Sequence, residues 1–125
     1  MKPLAEAIAA VGKPMFLHSV GEESSPKAVV ARFSHNGGDF DIAASDIVRV
    51  TINLQDGVPV RHETGTDPPG SFIAAVGGVS VTPAHQRTQI VVRGKADVLQ
   101  LYLRESFLDA VVEGQFSCRT LFNSH

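Results

Sequence analysis

Between Gly77 and Leu103 the chain reads GGVSVTPAHQRTQIVVRGKADVLQLYL, three runs of aliphatic and β-branched residues broken by a Pro-centred turn and a Gly-centred turn. Runs this short, bounded by Gly, Pro, Asn and Asp, carry the strand-and-turn pattern, and their close spacing confines the chain to a small all-β sandwich or barrel. Such a barrel has an interior and a mouth where a small molecule can sit. One short helix is predicted directly afterwards, over Glu105 to Val112, with Phe107, Leu108, Val111 and Val112 on one side and Gly114 as its stop.

The upstream half extends the pattern. An Ala-rich segment, Pro3 to Val11, places Leu4, Ile8 and Val11 at helical spacing before Gly12. Strands are predicted at Met15 to Val20 and Lys27 to Phe33, with Ser34 to Asp39 as a loop dense in turn formers. From Asp46 to Leu54 the chain alternates, Val48, Val50, Ile52 and Leu54 on one face and Ile47, Arg49, Thr51 and Asn53 on the other. Asp56-Gly57 then predicts a hairpin into Val58 to Glu63. Asp67-Pro68-Pro69-Gly70 marks a surface loop, followed by strands at Ser71 to Ala75 and Val79 to Thr82. Gly94-Lys95 predicts a second antiparallel pair, Arg87 to Arg93 with Asp97 to Leu103.

A length of 125 residues suits one domain with one core. The formal charge of −2 and eleven Lys and Arg scattered without a run leave no basic face, so direct nucleic-acid contact is not expected. Cys118 stands alone, which excludes an intrachain disulfide and fits a reducing, cytoplasmic setting. No stretch reads as a leader or a membrane span.

Val81-Thr82-Pro83-Ala84-His85-Gln86-Arg87-Thr88, followed by Ala96-Asp97-Val98-Leu99-Gln100-Leu101-Tyr102-Leu103, resembles the N-terminal, cupin-like sensor domain of AraC-type bacterial transcription regulators. Ala31-Arg32-Phe33, Gly38-Asp39-Phe40 and the strand from Ile47 to Leu54 are similar to the first half of that domain, so the resemblance spans residues 28 to 112. It implies an all-β, cupin-like double-stranded β-helix or jelly-roll barrel with short flanking α-helices. It further implies one sensor domain over residues 1–125, with a core from about residue 15 to 113, that binds a small-molecule effector and pairs as a homodimer without being an enzyme. Regulators of this type continue into a DNA-binding domain with two helix-turn-helix motifs. Residues 114–125 are too few for a motif of about twenty residues. The chain is therefore expected to lack that domain, as a sensor separated from a longer regulator or as a stand-alone relative.

Cupin enzymes resemble the same architecture and usually hold a metal with two His and a Glu from one hairpin and a third His from a later strand. Here Thr88 stands where the later His belongs and His85 where that family has Gly. His62 and Glu63 are adjacent, and adjacent strand residues point to opposite faces. No metal and no cofactor are expected; the alternative function is a small stand-alone cupin enzyme, a metal-dependent isomerase or dioxygenase. Cys118 beside Arg119 has no recognisable catalytic partner. Asp39 and Asp41 flank Phe40 on one side of the chain, a geometry open to an acid–base pair or to plain solvated carboxylates.

Arg49, Thr51, Gln100 and Tyr102 all lie in the polar phase of their strands, and two orientations follow. Turned inward, they form, with His62 and His85 at the rim, a pocket for a small anionic or polyhydroxylated ligand. Turned outward, they are the solvated face while the valines and leucines fill the core. The helix has two readings as well: Phe107, Leu108 and Val111 cover one opening of the barrel, or they supply the dimer interface that the resemblance implies.

Overall fold

A computed structural model describes residues 2–22, 25–65 and 68–113. Helix α1 (Lys2–Ala9) precedes nine strands, β1 (Phe16–Glu22), β2 (Ser25–His35), β3 (Gly38–Ile42), β4 (Ile47–Asn53), β5 (Val58–Thr64), β6 (Gly70–Ala74), β7 (Val79–Thr82), β8 (Thr88–Val92) and β9 (Ala96–Arg104). A second helix, α2, follows over residues 105–113. The strands form two sheets, a five-stranded one ordered β1-β2-β9-β4-β7 and a four-stranded one ordered β3-β8-β5-β6. Every ladder is antiparallel. The result is the expected all-β jelly roll with short flanking helices.

Both predicted hairpins are corrected. β4 pairs with β7 and β9, and β5 with β6 and β8, so the Asp56-Gly57 turn carries the chain from one sheet to the other. β8 and β9 likewise lie in opposite sheets, each paired to strands distant in sequence. A Gly-containing turn reverses the chain locally, and which partner the next strand finds is decided by burying a face on both sheets. The loop expected over Ser34 to Asp39 narrows to Asn36 and Gly37, because β2 runs on through His35 and β3 begins at Gly38. Gly37 makes that turn possible: its φ is 91°, and a Cβ there would stand 2.6 Å from the Val92 carbonyl oxygen.

The packed core lies on the inner side of β2 and β9, where Val29, Ala31 and Phe33 meet Val98 and Tyr102, with Ile47 of β4 beside them. α1 closes over this cluster through Leu4, and Val11 joins it from the turn that follows. The apolar phase of β4 is not part of this core. Val48, Val50 and Ile52 lie opposite Leu103, Leu101 and Leu99 on the outer face of the five-stranded sheet, all partly exposed. The inner face instead carries Arg49, Asn53 and Gln100, each at least 95 % buried.

Candidate functional site

Between the sheets lies a cavity of about 320 Å³, at the lower end of the roughly 300–1,000 Å³ typical of small-molecule sites. Its two walls differ in chemistry. The five-stranded sheet contributes the polar side chains of His35, Arg49, Thr51, Asn53, Ser80 and Gln100 beside Ala96 and Val98, whereas Phe40, Val58, Val60, Phe72, Ile90 and Val92 of the four-stranded sheet form a hydrocarbon wall with His62 set into it. The polar phase therefore faces inward.

Register explains why these polar groups converge. Arg49 is paired across the ladders with Tyr102 on one side and Thr82 on the other, and Thr51 with Gln100 and Ser80. Partners on neighbouring strands share a face, so placing Arg49 inside brings the others with it. Arg49 is 97 % buried, and its Nε has no hydrogen-bond partner among the described residues. Burial lowers its pKa, and the neighbouring Tyr102 works the other way; at neutral pH a guanidinium stays charged regardless. Tyr102 lies beside Arg49 in a small recess that shares Arg49 with the cavity and donates its hydroxyl proton to Gln100 Oε1. Burial pushes that phenol up to about 12, against the pull of Arg49.

His62 faces Arg49's charge from the other sheet. Burial, and then the Arg49 charge, hold its pKa below the ordinary imidazole value, so the ring is neutral at pH 7. Nδ1 lies 3.3 Å from Thr64 Oγ1, which is 3.2 Å from Thr88 Oγ1. Nε2 is buried without a partner among the described residues. The cavity's rim is the segment after β6, where Asn53 Nδ2 donates to the Ala75 carbonyl at 3.0 Å and Gly77 N donates to the Asn53 carbonyl at 2.8 Å.

Of the six residues expected at a pocket, Arg49, Thr51, His62 and Gln100 line the cavity, and Tyr102 lines an adjoining recess together with Arg49. His85 is corrected. Its side chain is 62 % exposed and pairs with Glu105 at 3.0 Å on the outside of the domain, because His85 N donates to the Ser45 carbonyl and folds the turn outward. Asp41 is likewise engaged on the surface, with Arg87 at 2.6 Å, and Asp39 is exposed. Asn53 was missed although it shares the phase of Arg49 and Thr51, a signal present in the sequence. The hydrocarbon wall could not be assigned without knowing which strands face each other. Phe107 and Leu108 are half-buried and Val111 is 47 % exposed; Gly114 and Cys118 lie outside the described residues.

Among solved structures the chain is similar to the ethanolamine utilization protein Q (EutQ) of Salmonella typhimurium, with 16 % identity and a TM-score of 0.51 over 71 % of this chain and 68 % of that one. It is similar to the cupin domain of Schizosaccharomyces pombe Cnp3, with 13 % identity and a TM-score of 0.54 over 78 % and 69 %. A cupin-2 domain protein of Shewanella frigidimarina matches with 12 % identity and a TM-score of 0.51 over 81 % and 92 %. The fold is that of the cupins. At these identities the likeness concerns the fold alone. No family model matches the chain, and no curated protein does.

Many cupins use this interior for a metal, and the residues here do not fit one. Among the described residues no three His, Cys, Asp or Glu side chains cluster. His35 and His62 both line the cavity, but His35 Nδ1 accepts from the Gly37 N–H, and the fixed charge of Arg49 acts on the His62 ring and opposes a cation. Thr64 and Thr88, hard neutral hydroxyls, stand beside it. Among the described residues no helix is long and apolar enough to cross a membrane.

Proposed function

We propose that the chain is a non-catalytic ligand-sensing and pairing module, of the kind found as the effector domain of AraC-type regulators. The observation that carries this reading is a partly open cavity between the two sheets whose lining, among the described residues, includes one buried cation, Arg49, and no carboxylate. Such a cavity binds and orients a small molecule through its polar wall while hydrocarbon contacts supply affinity. The β4 and β9 strands that line it on one side present Val50 and Leu101 on the other. A ligand held by Arg49 and Gln100 is thus separated by a single sheet from a face that a second copy can cover.

The test is native mass spectrometry of the purified chain, with extraction of any retained small molecule, followed by thermal-shift screening of the stripped protein. A bound organic molecule, displaced in a cavity-filling Val60→Trp variant that keeps its circular dichroism spectrum, is the expected outcome. Turnover of a bound molecule by the purified chain would overturn the non-catalytic reading.

A further inference from the structure

The cavity's charge has no counter-ion among the described residues. None of the ion pairs among the described residues includes Arg49, and no carboxylate occurs among the described residues that line the cavity. A guanidinium cannot shed its proton to escape burial. Water in a cavity of this size can hydrate it, but a ligand with an apolar body must displace that water, and the stripped charge is then costly unless the ligand brings an anion. A carboxylate matches the planar guanidinium fork.

His62 supplies a second point. A hydroxyl chain from Thr88 through Thr64 to Nδ1, at 3.2 and 3.3 Å, can donate to that nitrogen and so keep the imidazole proton on Nε2. Nε2 is the buried nitrogen without a partner. One donor thus comes from each sheet, Arg49 from β4 and His62 from β5.

Resting on the reading of the cavity as a ligand site, we propose that it selects a compact monocarboxylate with an apolar body, the carboxylate held between Arg49 and His62 and the body against Val60, Phe72 and Ile90. A sugar fits less well, because hydroxyls project from all round its ring and, although Thr51, Asn53, Ser80 and Gln100 can partner those on one side, the ones facing Val60, Phe72 and Ile90 find no partner beyond His62. The cavity's volume of about 320 Å³ accommodates a short branched chain or a single ring.

Titration calorimetry on the full chain, with acetate, 3-methylbutanoate, benzoate and octanoate, each alongside its amide and its amine, tests this. The expected result is that 3-methylbutanoate or benzoate binds at least about thirtyfold more tightly than its amide, with no binding of the amine. Arg49→Met should erase the preference for acid over amide. His62→Leu should weaken the acid about tenfold and His62→Gln, which retains a donor, should restore part of it. Equal affinity for acid and amide, with both lost in Val60→Trp, would overturn the carboxylate assignment while leaving the cavity a binding site. If no probe binds, or if binding survives Val60→Trp, both the assignment and the binding-module reading fail. The comparison of acid and amide uses the unmodified protein, so it stands even if a variant misfolds.

Discussion

Arg49 on β4 and Tyr102 on β9 are direct partners across the central ladder of the five-stranded sheet, and they are 97 % and 99 % buried. A charge and a phenol placed side by side in the interior perturb each other. The cation favours the phenolate, yet burial disfavours it more strongly, and the phenol ends with a pKa of about 12 in place of 10.0. The hydroxyl therefore stays a hydrogen-bond donor, to Gln100, across the physiological range. Gln100 in turn presents its amide to the cavity, so the pair links the charge at the site to the rigid middle of the sheet.

Tyr102 is the chain's one tyrosine, which makes its ionisation directly visible. Ultraviolet difference titration, with circular dichroism recorded in parallel, should give a phenolate midpoint near 12 while the fold persists. If the fold melts first, phenolate should appear together with unfolding. A midpoint near 10 in the folded protein would mean that the hydroxyl is solvated.

Replacing Arg49 by Met removes a buried charge that has no counter-ion among the described residues. The ligand-free variant should be more stable than the parent by about 1–3 kcal/mol in urea denaturation, since burying an unpaired charge costs more than a thioether of similar length. A comparable loss of stability would show that the guanidinium holds the interior together.

The β class was legible because β-branched runs between Gly and Pro punctuation allow little else, and strands β4, β7 and β9 fall within two residues of their predicted limits. Pairing was not legible. The Asp56-Gly57 and Gly94-Lys95 turns specify a reversal of direction, and nothing local tells the chain whether the next strand joins the same sheet or the opposite one. Alternation along β4 identified two faces without saying which is inside. Ordinary patterning would bury Val48, Val50 and Ile52, and the opposite occurs because the inner face surrounds a cavity with polar groups on its wall. His85 was misplaced because the turn at Pro83 bends outward through its backbone bond to Ser45.

Three histidines set the acid side of stability. His35 and His62 have lowered pKa values, burial being the first cause in each. Their contribution is complete above the unfolded imidazole value of about 6.5 and is lost as pH falls toward their folded values, because the unfolded chain takes up protons first. His85 runs the other way: its hydrogen bond to Glu105 raises its pKa, so its contribution is present below about 6.5 and fades as pH rises through its raised value. Its side chain is exposed on the surface, and solvent screens it. The melting temperature should therefore fall between pH 7 and 5. In His62→Leu the slope should flatten, and in His85→Ala it should steepen slightly. An unchanged slope in His62→Leu would show that this imidazole is as easily protonated in the folded state as in the unfolded one.

The outer face of the five-stranded sheet supplies the last test. Val81, Val50, Leu101 and Val30 form one row across β7, β4, β9 and β2, each the register partner of the next. Val48 and Leu103 flank that row on one side, and Val79, Ile52 and Leu99 on the other. Contiguous apolar faces of this extent are uncommon on monomers, and two such sheet faces can pack on each other about a twofold axis. The pairing expected from the family resemblance would then use this face, in addition to or in place of Phe107, Leu108 and Val111. Val81 is 53 % exposed and Val111 47 %, so a glutamate at either position is tolerated by an isolated domain. Analytical ultracentrifugation of the parent chain should find a dimer. Val81→Glu should shift it to monomer with the melting curve otherwise little changed, whereas Val111→Glu should do so only if α2 carries the contact. A parent chain that stays monomeric at high concentration would remove pairing from the proposed function and leave the face for a partner of another kind.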